Sequence, residues 1–372
     1  MKALLLSSEP VDYTIAMANG LAPHLRVGAI LPRQRYASLR PWIDPRVEVE
    51  LVDWPRTRSL SNPAFLWHLS GLIRDQDPDV LHLLSNTSLW FNAVLPFWRR
   101  RPLITTVHDV GLHPGDRDTA QLPGWTARLM ARQSPHLIVH GEALRRAAAQ
   151  TFGKSPDAIH VVPHPSIRRY ADLARQAGLR RSRPEGDFVV LLFGRIFAYK
   201  GLSTLIGAEK LLADRVPGLR IVIAGRGDDP NDLRPLMGRP DRYDIHRGFV
   251  EDLEVAQLFT DADAVVLPYD EASQSGVLHL AAAFGKPVIV TDTGELRATV
   301  EPNGLGLVVP PRAPDQLAEA MARLAADPAL RQRLGENARA WSEGPNAATT
   351  IGGATADLYA KIAQPRPPGP LN

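Results

Sequence analysis

Phe188-Val189-Val190-Leu191-Leu192-Phe193-Gly194-Arg195-Ile196-Phe197-Ala198-Tyr199-Lys200-Gly201 decides the fold. Six consecutive apolar residues, Phe188–Phe193, read as a strand buried on both faces. Such strands belong to parallel sheets covered by helices on each side. The strand ends in a glycine, and an amphipathic helix over Ser203–Asp214 follows. Between them stand Arg195 and Lys200, five residues apart. Glycine lets backbone approach a ligand closely, a helix start offers unpaired N–H groups, Arg presents a bidentate fork and Lys a point charge. Together these suit a diphosphate. On spacing alone, a plain strand–loop–helix turn with two solvated cations fits equally well.

Further short apolar runs follow downstream. Arg220–Ala224, Tyr243–His246, Ala264–Leu267, Pro287–Val290 and Gly306–Val309 read as strands, with helices at Glu254–Phe259, Ser275–Phe284 and Pro314–Ala326. Upstream, strands are expected at Lys2–Leu6, Val27–Leu31, Val47–Val52, Val80–Leu83, Leu103–Val107, His136–Val139 and Ile159–Val162, with helices at Tyr13–Leu25 and Pro63–Asp75. The fold class is α/β, with two Rossmann-like doubly wound domains in tandem facing each other across a cleft, where the ligands of such sheets bind. We expect an N-terminal domain over residues 1–170, a charged Pro/Gly-bearing linker over 171–186 and a C-terminal domain over 187–345. A last helix over 346–363 is expected to pack back towards the N-terminal domain, and a Pro-rich tail over 364–372 to be extended or disordered.

Composition closes off other classes. The 372 residues hold 44% hydrophobic and 22% charged side chains, an ordinary globular balance, and no Cys. That rules out a disulfide scaffold, Cys-ligated zinc, iron–sulfur clusters and a cysteine nucleophile. Ala3 to Leu6 is too short for the roughly 7–15-residue core of a signal peptide, and no run approaches the roughly 18 apolar residues of a membrane span. The expected location is therefore cytoplasmic, soluble or peripheral at the inner face of the membrane. Net charge is uneven: residues 1–180 carry 22 Lys+Arg against 15 Asp+Glu, and residues 181–372 carry 21 against 25. Arg99-Arg100-Arg101 follows Trp90-Phe91 and Phe97-Trp98, which reads either as a helix end with buried aromatics or as an interfacial membrane segment. Basic residues are otherwise scattered, with no nucleic-acid-binding pattern.

A second loop, Leu267-Pro268-Tyr269-Asp270-Glu271-Ala272-Ser273-Gln274-Ser275-Gly276-Val277, feeds a helix and presents hydroxyl and amide donors to phosphates; Ser273 or Ser275 equally reads as a helix N-cap. Gly225-Arg226-Gly227 is a Gly-x-Gly turn, but Pro230 stands where the GxGxxG fingerprint needs its last glycine, which removes support for nicotinamide binding. His108, followed by Asp109, ends a buried strand, where it can bond a sugar hydroxyl, handle a proton, or be held structurally by Asp109. His136 and His140 are spaced like helical zinc ligands but flank a strand, so no metal is expected there.

These elements, in this order, resemble glycosyltransferase family 4, retaining enzymes of the GT-B fold, over nearly the whole chain. The residues carrying the resemblance are Gly194-Arg195 with Lys200-Gly201, Gly225-x-Gly227, Arg247-Gly248-Phe249-Val250, Pro268-Tyr269, Gln274-Ser275-Gly276-Val277, Gly285-Lys286-Pro287-Val288 and Thr291-Asp292-Thr293-Gly294. The resemblance implies transfer of a hexosyl unit from a nucleotide diphosphate sugar to a hydroxyl acceptor, in polysaccharide or glycolipid assembly. The nucleotide sugar is a co-substrate; no cofactor or metal is implied. His108, Arg195 and Lys200 take the catalytic roles. Gly194, Gly225, Gly227, Phe249, Val250, Glu271, Ser273, Gln274, Ser275, Gly276 and Val277 are donor-binding. Asp12 and Asp109 fall on the acceptor side. The basic N-terminal half suits a lipid-linked acceptor and peripheral contact with the cytoplasmic membrane face.

Two departures stand out. Two glutamates eight apart are usual in this family; aligned on Gly285-Lys286-Pro287, their places hold Ala272 and Leu280. Glu271 and His279 keep the spacing one residue earlier, but a one-residue shift turns a helical side chain by about 100°. The loop Ser7 to Tyr13 also lacks the Gly-Gly often found after the first strand. A catalytically impaired relative acting as a nucleotide-sugar-binding or partner subunit, and a GT-B sugar-nucleotide epimerase, are the alternative readings.

Overall fold

The computed structural model describes residues 1–111, 123–212 and 214–363, so the expected Pro-rich tail over 364–372 lies outside the described residues. The chain divides into two compact units. Among the described residues the first holds 1–111, 123–165 and 347–363, and the second 166–212 and 214–346.

The first unit is a seven-stranded, wholly parallel sheet. Its elements are β1 (Lys2–Leu6), α1 (Val11–Leu21), β2 (Arg26–Pro32), α2 (Arg33–Tyr36), β3 (Glu48–Val52), α3 (Asn62–Gln76), β4 (Val80–Leu83), α4 (Phe91–Trp98), β5 (Leu103–Thr106), α5 (Gly124–Gln133), β6 (His136–Val139), α6 (Glu142–Phe152) and β7 (Ile159–Val161). The strand order β3-β2-β1-β4-β5-β6-β7 reverses direction of growth between β1 and β4. Leu4, Leu6, Leu81 and Leu83 pack on one face against Leu66, Leu69, Leu95, Trp98 and Met130, so α3, α4 and α5 cover that face.

The second unit contains α7 (Arg169–Gln176), β8 (Phe188–Phe193), α8 (Leu202–Leu211), β9 (Leu219–Gly225), β10 (Tyr243–Arg247), α9 (Asp252–Asp261), β11 (Ala264–Leu267), α10 (Gly276–Ala283), β12 (Val288–Thr291), α11 (Leu296–Asn303), β13 (Gly306–Val309), α12 (Pro314–Ala326) and α13 (Pro328–Glu343). Its parallel order is β10-β9-β8-β11-β12-β13, with the reversal between β8 and β11. Residues 171–186, read as a linker, hold most of α7 and are tied to this unit. Ser182 N donates to Asp261 Oδ1 at 2.6 Å, Arg181 pairs with Asp263 at 3.0 Å and Arg183 with Asp244.

The last helix, α14 (Ala348–Ala363), belongs to the first unit and packs on α1 through two glycines. A Cβ on Gly20 would stand 2.1 Å from Ala348 O and one on Gly352 2.0 Å from Gly20 O. This close approach lets Tyr359, fully buried, bring its hydroxyl to His82 Nδ1 at 2.5 Å.

Candidate active site

Ligands of open parallel sheets sit outside the carboxyl ends of the strands, where the strand order reverses. In the second unit that point is marked by the loops after β8 and β11, which are the two loops rich in candidate residues. They touch: Asp270 N donates to Tyr199 O at 2.8 Å.

The first loop is shaped by glycines. Gly194, Gly225, Gly227 and Gly201 all adopt positive φ, at 112°, 145°, 142° and 70°. A Cβ on Gly225 would lie 1.7 Å from Gly194 O, and one on Gly227 2.2 Å from Ile196 O. Without those side chains the backbones after β8 and β9 run side by side: Ile196 N bonds Arg226 O at 2.8 Å and Asp228 N bonds Ile196 O at 2.7 Å. The chain then turns through a short 3-10 segment, Ala198–Lys200, into α8. Arg195 and Lys200 are both half-buried. Lys200 Nζ stands 3.7 Å from the centroid of Tyr269 and 4.9 Å from that of Tyr199, and no carboxylate pairs with it among the described residues. A cation resting on ring faces, without an anion, is poised for an anionic ligand.

The second loop leads to the start of α10. Ser275 occupies the N-cap position, but its side chain makes no cap bond; its Oγ lies 3.2 Å from Tyr269 OH. Ser275 is thus the N-cap residue by position without capping through its side chain, which leaves the first amides of α10 with no side-chain cap bond. The helix start reaches the first loop: the Cβ position of Gly194 is 3.5 Å from Val277 Cγ2. Ser273, Gln274, Gly276 and Val277 are half-buried, and Gln274 Oε1 is buried without a hydrogen-bond partner, a free acceptor for a ligand hydroxyl. Behind the loop, Glu295 N bonds Ser273 O at 3.1 Å and Thr291 Oγ1 donates to Tyr269 O at 2.6 Å. A Cβ on Gly294 would sit 2.1 Å from Ala272 O, which explains the glycine of Thr291-Asp292-Thr293-Gly294.

The positions of the usual glutamate pair are apolar and packed, with Ala272 half-buried against the core. Leu280 is 4% exposed within the apolar core, so a carboxylate there would be buried. His279 is buried, stacked on Trp341 at 5.4 Å with Nδ1 2.9 Å from Asn346 Nδ2, and is a packing residue. Glu271 is exposed, as is Phe249, while Val250 after β10 packs half-buried on the core. Lys286 of Gly285-Lys286-Pro287 is structural: Nζ donates to Thr260 O at 2.9 Å, and burial pulls it down to about 8.

In the first unit, His108 lies just beyond β5, buried, with Nε2 2.9 Å from Leu84 O and Nδ1 3.0 Å from His140 Nε2. His140 Nδ1 in turn stands 3.0 Å from Val162 O. Each carbonyl takes an N–H, so two neutral imidazoles hold two protons for three contacts, and a proton the pair takes up enters the N···N contact. Tyr13 presses on the rings of His108, His140 and His164 at 4.6, 5.3 and 5.0 Å. His136 belongs elsewhere, 3.1 Å from His160, so the zinc-like spacing of His136 and His140 brings nothing together. Asp109 follows His108 half-buried, and Asp12 sits in the first turn of α1, where a carboxylate suits the helix dipole. A small cavity of about 90 Å³ opens by the loops after β1, β3 and β4, walled by Trp54, Phe65, Trp90 and Phe91 with Ser8 and Thr87.

The sequence reading did not bring His140, His164 and Tyr13 beside His108, nor Tyr199 and Tyr269 against Lys200. The signal for the histidines was present: His108, His140 and His164 each follow one of three adjacent strands.

Burial gives the first unit a pH dependence. It pulls His82 down to about 3 and His160 to about 4, lowers His108, and lowers His140 further still. The unfolded chain protonates these imidazoles near pH 6.5 while the folded chain does not. Stability is therefore fully present above pH 6.5 and falls as pH drops towards 4, by up to about 1.4 kcal/mol per pH unit for each of the fully buried His82, His108 and His140. Thermal melts across that range should show Tm falling with pH; a flat profile would show that these imidazoles are not held neutral.

Comparison with known proteins agrees with this geometry. Residues 12–165 match the Glycosyltransferase Family 4 model and residues 179–341 the model of Glycosyl transferases group 1. The chain belongs to the group 1 glycosyltransferases. It is 27% identical over 274 residues to alpha-D-kanosaminyltransferase of Streptomyces kanamyceticus, covering 70% of this chain and 71% of that protein. It is 28% identical over 319 residues to a glycogen synthase of Mycobacterium tuberculosis, covering 81% and 74%. Among solved structures, Anabaena HepE in complex with UDP-glucose superposes with a TM-score of 0.71 at 21% identity, covering 97% of this chain and all of that one. The enzyme is thus a glycosyltransferase with a GT-B fold.

Proposed function

We propose that this glycosyltransferase moves a hexosyl unit from a nucleoside diphosphate sugar to a hydroxyl acceptor with retention of configuration. The observation that carries the reading is Lys200, which rests on Tyr269 without a carboxylate partner beside the uncapped start of α10. That arrangement supports binding of a diphosphate, with Lys200, Arg195 and the first amides of α10 stabilising the charge that grows as the nucleoside diphosphate departs. Gln274 supplies an acceptor for a sugar hydroxyl, Glu271 a second contact, and Phe249 and Val250 lie by the base.

The chain offers no nucleophile to the sugar in this reading. The acceptor hydroxyl attacks the face the diphosphate is leaving, and a departing phosphate oxygen takes its proton. Positive side chains supply the charge the step requires, so no metal ion is written into it. The first unit takes the acceptor, with Asp12, His108 and Asp109 on that side, and its excess of basic residues suits a lipid-linked, anionic acceptor.

The test is release of nucleoside diphosphate from a donor panel with and without acceptors, with the anomeric proton of the product read by NMR. Release only with acceptor, and a product anomer like that of the donor, is expected. An inverted product would overturn retention. Sugar isomerisation without acceptor would favour the epimerase reading, and tight nucleotide binding without turnover the impaired relative that Ala272 and Leu280 suggest.

A further inference from the structure

Large apolar side chains are exposed in both units, with Leu211, Leu236, Phe249 and Leu253 in the second. In the first unit Leu60 is 99% exposed, Trp67 81%, Phe97 64% and Trp125 57%. The three aromatics sit on α3, α4 and α5, which together cover one face of the sheet. The helices adjoin: Trp98 Nε1 donates to Ser70 Oγ at 3.0 Å between α3 and α4, and Asn92 Nδ2 to Thr126 O at 3.1 Å between α4 and α5. α3 and α4 turn Leu66, Leu69, Leu95 and Trp98 inward and Trp67 or Phe97 outward, and α5 turns Met130 inward with Trp125 and Leu129 exposed. On α4, Ala93, Pro96 and Phe97 form the outward stripe, and Arg100 extends it one turn further.

Cations flank these helices: Arg56 and Arg58 precede α3, Arg99 and Arg100 follow α4, and Arg128 lies on α5. Arg56, Arg58, Arg99, Arg100 and Arg128 are exposed, and none has a carboxylate partner among the described residues. Elsewhere in the same unit Arg26, Arg33, Arg35, Arg46 and Arg101 are paired, while Arg132 and Arg146 are exposed with no carboxylate partner among the described residues. The carboxylate on these three helices is Asp75, beside Arg74 at 3.8 Å. Tryptophan and phenylalanine tips rimmed by unpaired guanidiniums match the boundary between anionic headgroups and acyl chains.

We propose that the outer face of α3, α4 and α5 docks this enzyme on an anionic lipid bilayer, with Trp67, Phe97 and Trp125 entering the headgroup layer and Arg56, Arg58, Arg99, Arg100 and Arg128 meeting the lipid charge. A second copy of the chain is the poorer occupant, because a two-fold contact through this face would set its unpaired guanidiniums against their own copies. The proposal rests on surface chemistry alone and not on the transfer reaction. No helix among the described residues is long and apolar enough to cross a membrane, so the contact is peripheral.

The experiment is flotation of the full chain with vesicles of phosphatidylcholine alone or mixed with phosphatidylglycerol, at low and high salt, together with tryptophan emission. Wild type should float with the phosphatidylglycerol vesicles at low salt, shift its emission to the blue and release at high salt. The W67S/F97S/W125S variant should lose at least about tenfold in partitioning, and R99Q/R100Q should weaken binding at low salt. Far-ultraviolet circular dichroism and melting temperatures like those of wild type show that both variants fold; should the triple variant fail there, R99Q/R100Q alone decides. No flotation of wild type at low salt, or flotation undiminished in the folded variants, overturns the proposal. So does a wild-type dimer in light scattering that the triple variant dissolves.

Discussion

Lys200→Ala is expected to remove turnover while leaving the fold in place. Its Nζ has no carboxylate partner among the described residues and rests on the ring faces of Tyr199 and Tyr269, so truncation costs the fold on the order of 1 kcal/mol. In the reaction the loss is larger. An ammonium aimed in advance at charge that appears only as the bond breaks resembles an oxyanion-hole donor, and removing one such donor costs roughly 10²–10³ in kcat. Arg195→Ala should act in the same direction, since the proposed function gives its fork the same diphosphate to hold. Rates near wild type in both variants, with Tm unchanged, would sink the assignment.

Gly225→Ala is expected to damage the fold and the site together. At φ 145° an L side chain is strained, and here its Cβ would also meet the backbone at 1.7 Å from Gly194 O. Backbone cannot rotate aside as a side chain does, so the extensions of β8 and β9 must separate. A destabilisation of at least about 3 kcal/mol is expected, from strain and overpacking combined. Gly248 supplies the control, because it has φ 118° but nothing within 4 Å of its Cβ position. Gly248→Ala should show the strain alone. Equal melting temperatures for the two variants would mean that the close approach of the two backbones carries no stability.

Most strands were legible in the sequence because each is a short apolar run bounded by polar residues, and β1, β4, β6, β8, β11 and β13 match the expected limits residue for residue. Helices were less legible where their apolar period is weak. α7 buries only small or charged residues, Arg169, Ala171 and Ala174, and so read as part of a linker. α4 and α11 each carry an internal proline, Pro96 and Pro302, which masks a helical pattern. α1 begins at Val11 and ends at Leu21, earlier than the expected Tyr13–Leu25, because the chain must turn before β2.

In the candidate site, the glycines and cations of the first loop were legible because their residue types are constrained by conformation and charge. The aromatic support of Lys200 was not: Tyr269 lies about seventy residues away in the chain, and nothing local to Lys200 marks it. The packing of His279 on Trp341 and Asn346 is likewise a long-range contact that spacing along α10 cannot reveal. The exposed faces of Phe97 and Trp67 were equally hidden, since aromatic runs near Trp90 and Trp98 read the same whether a ring points in or out.

The central claim is that the second unit holds a nucleoside diphosphate through Lys200. Isothermal titration of the full chain with UDP, GDP and ADP, repeated with Lys200→Ala, tests it most directly. Tight binding of one nucleotide, reduced at least about a hundredfold in the variant, is the result this account predicts. Binding of no nucleotide, or equal binding by Lys200→Ala, would contradict it.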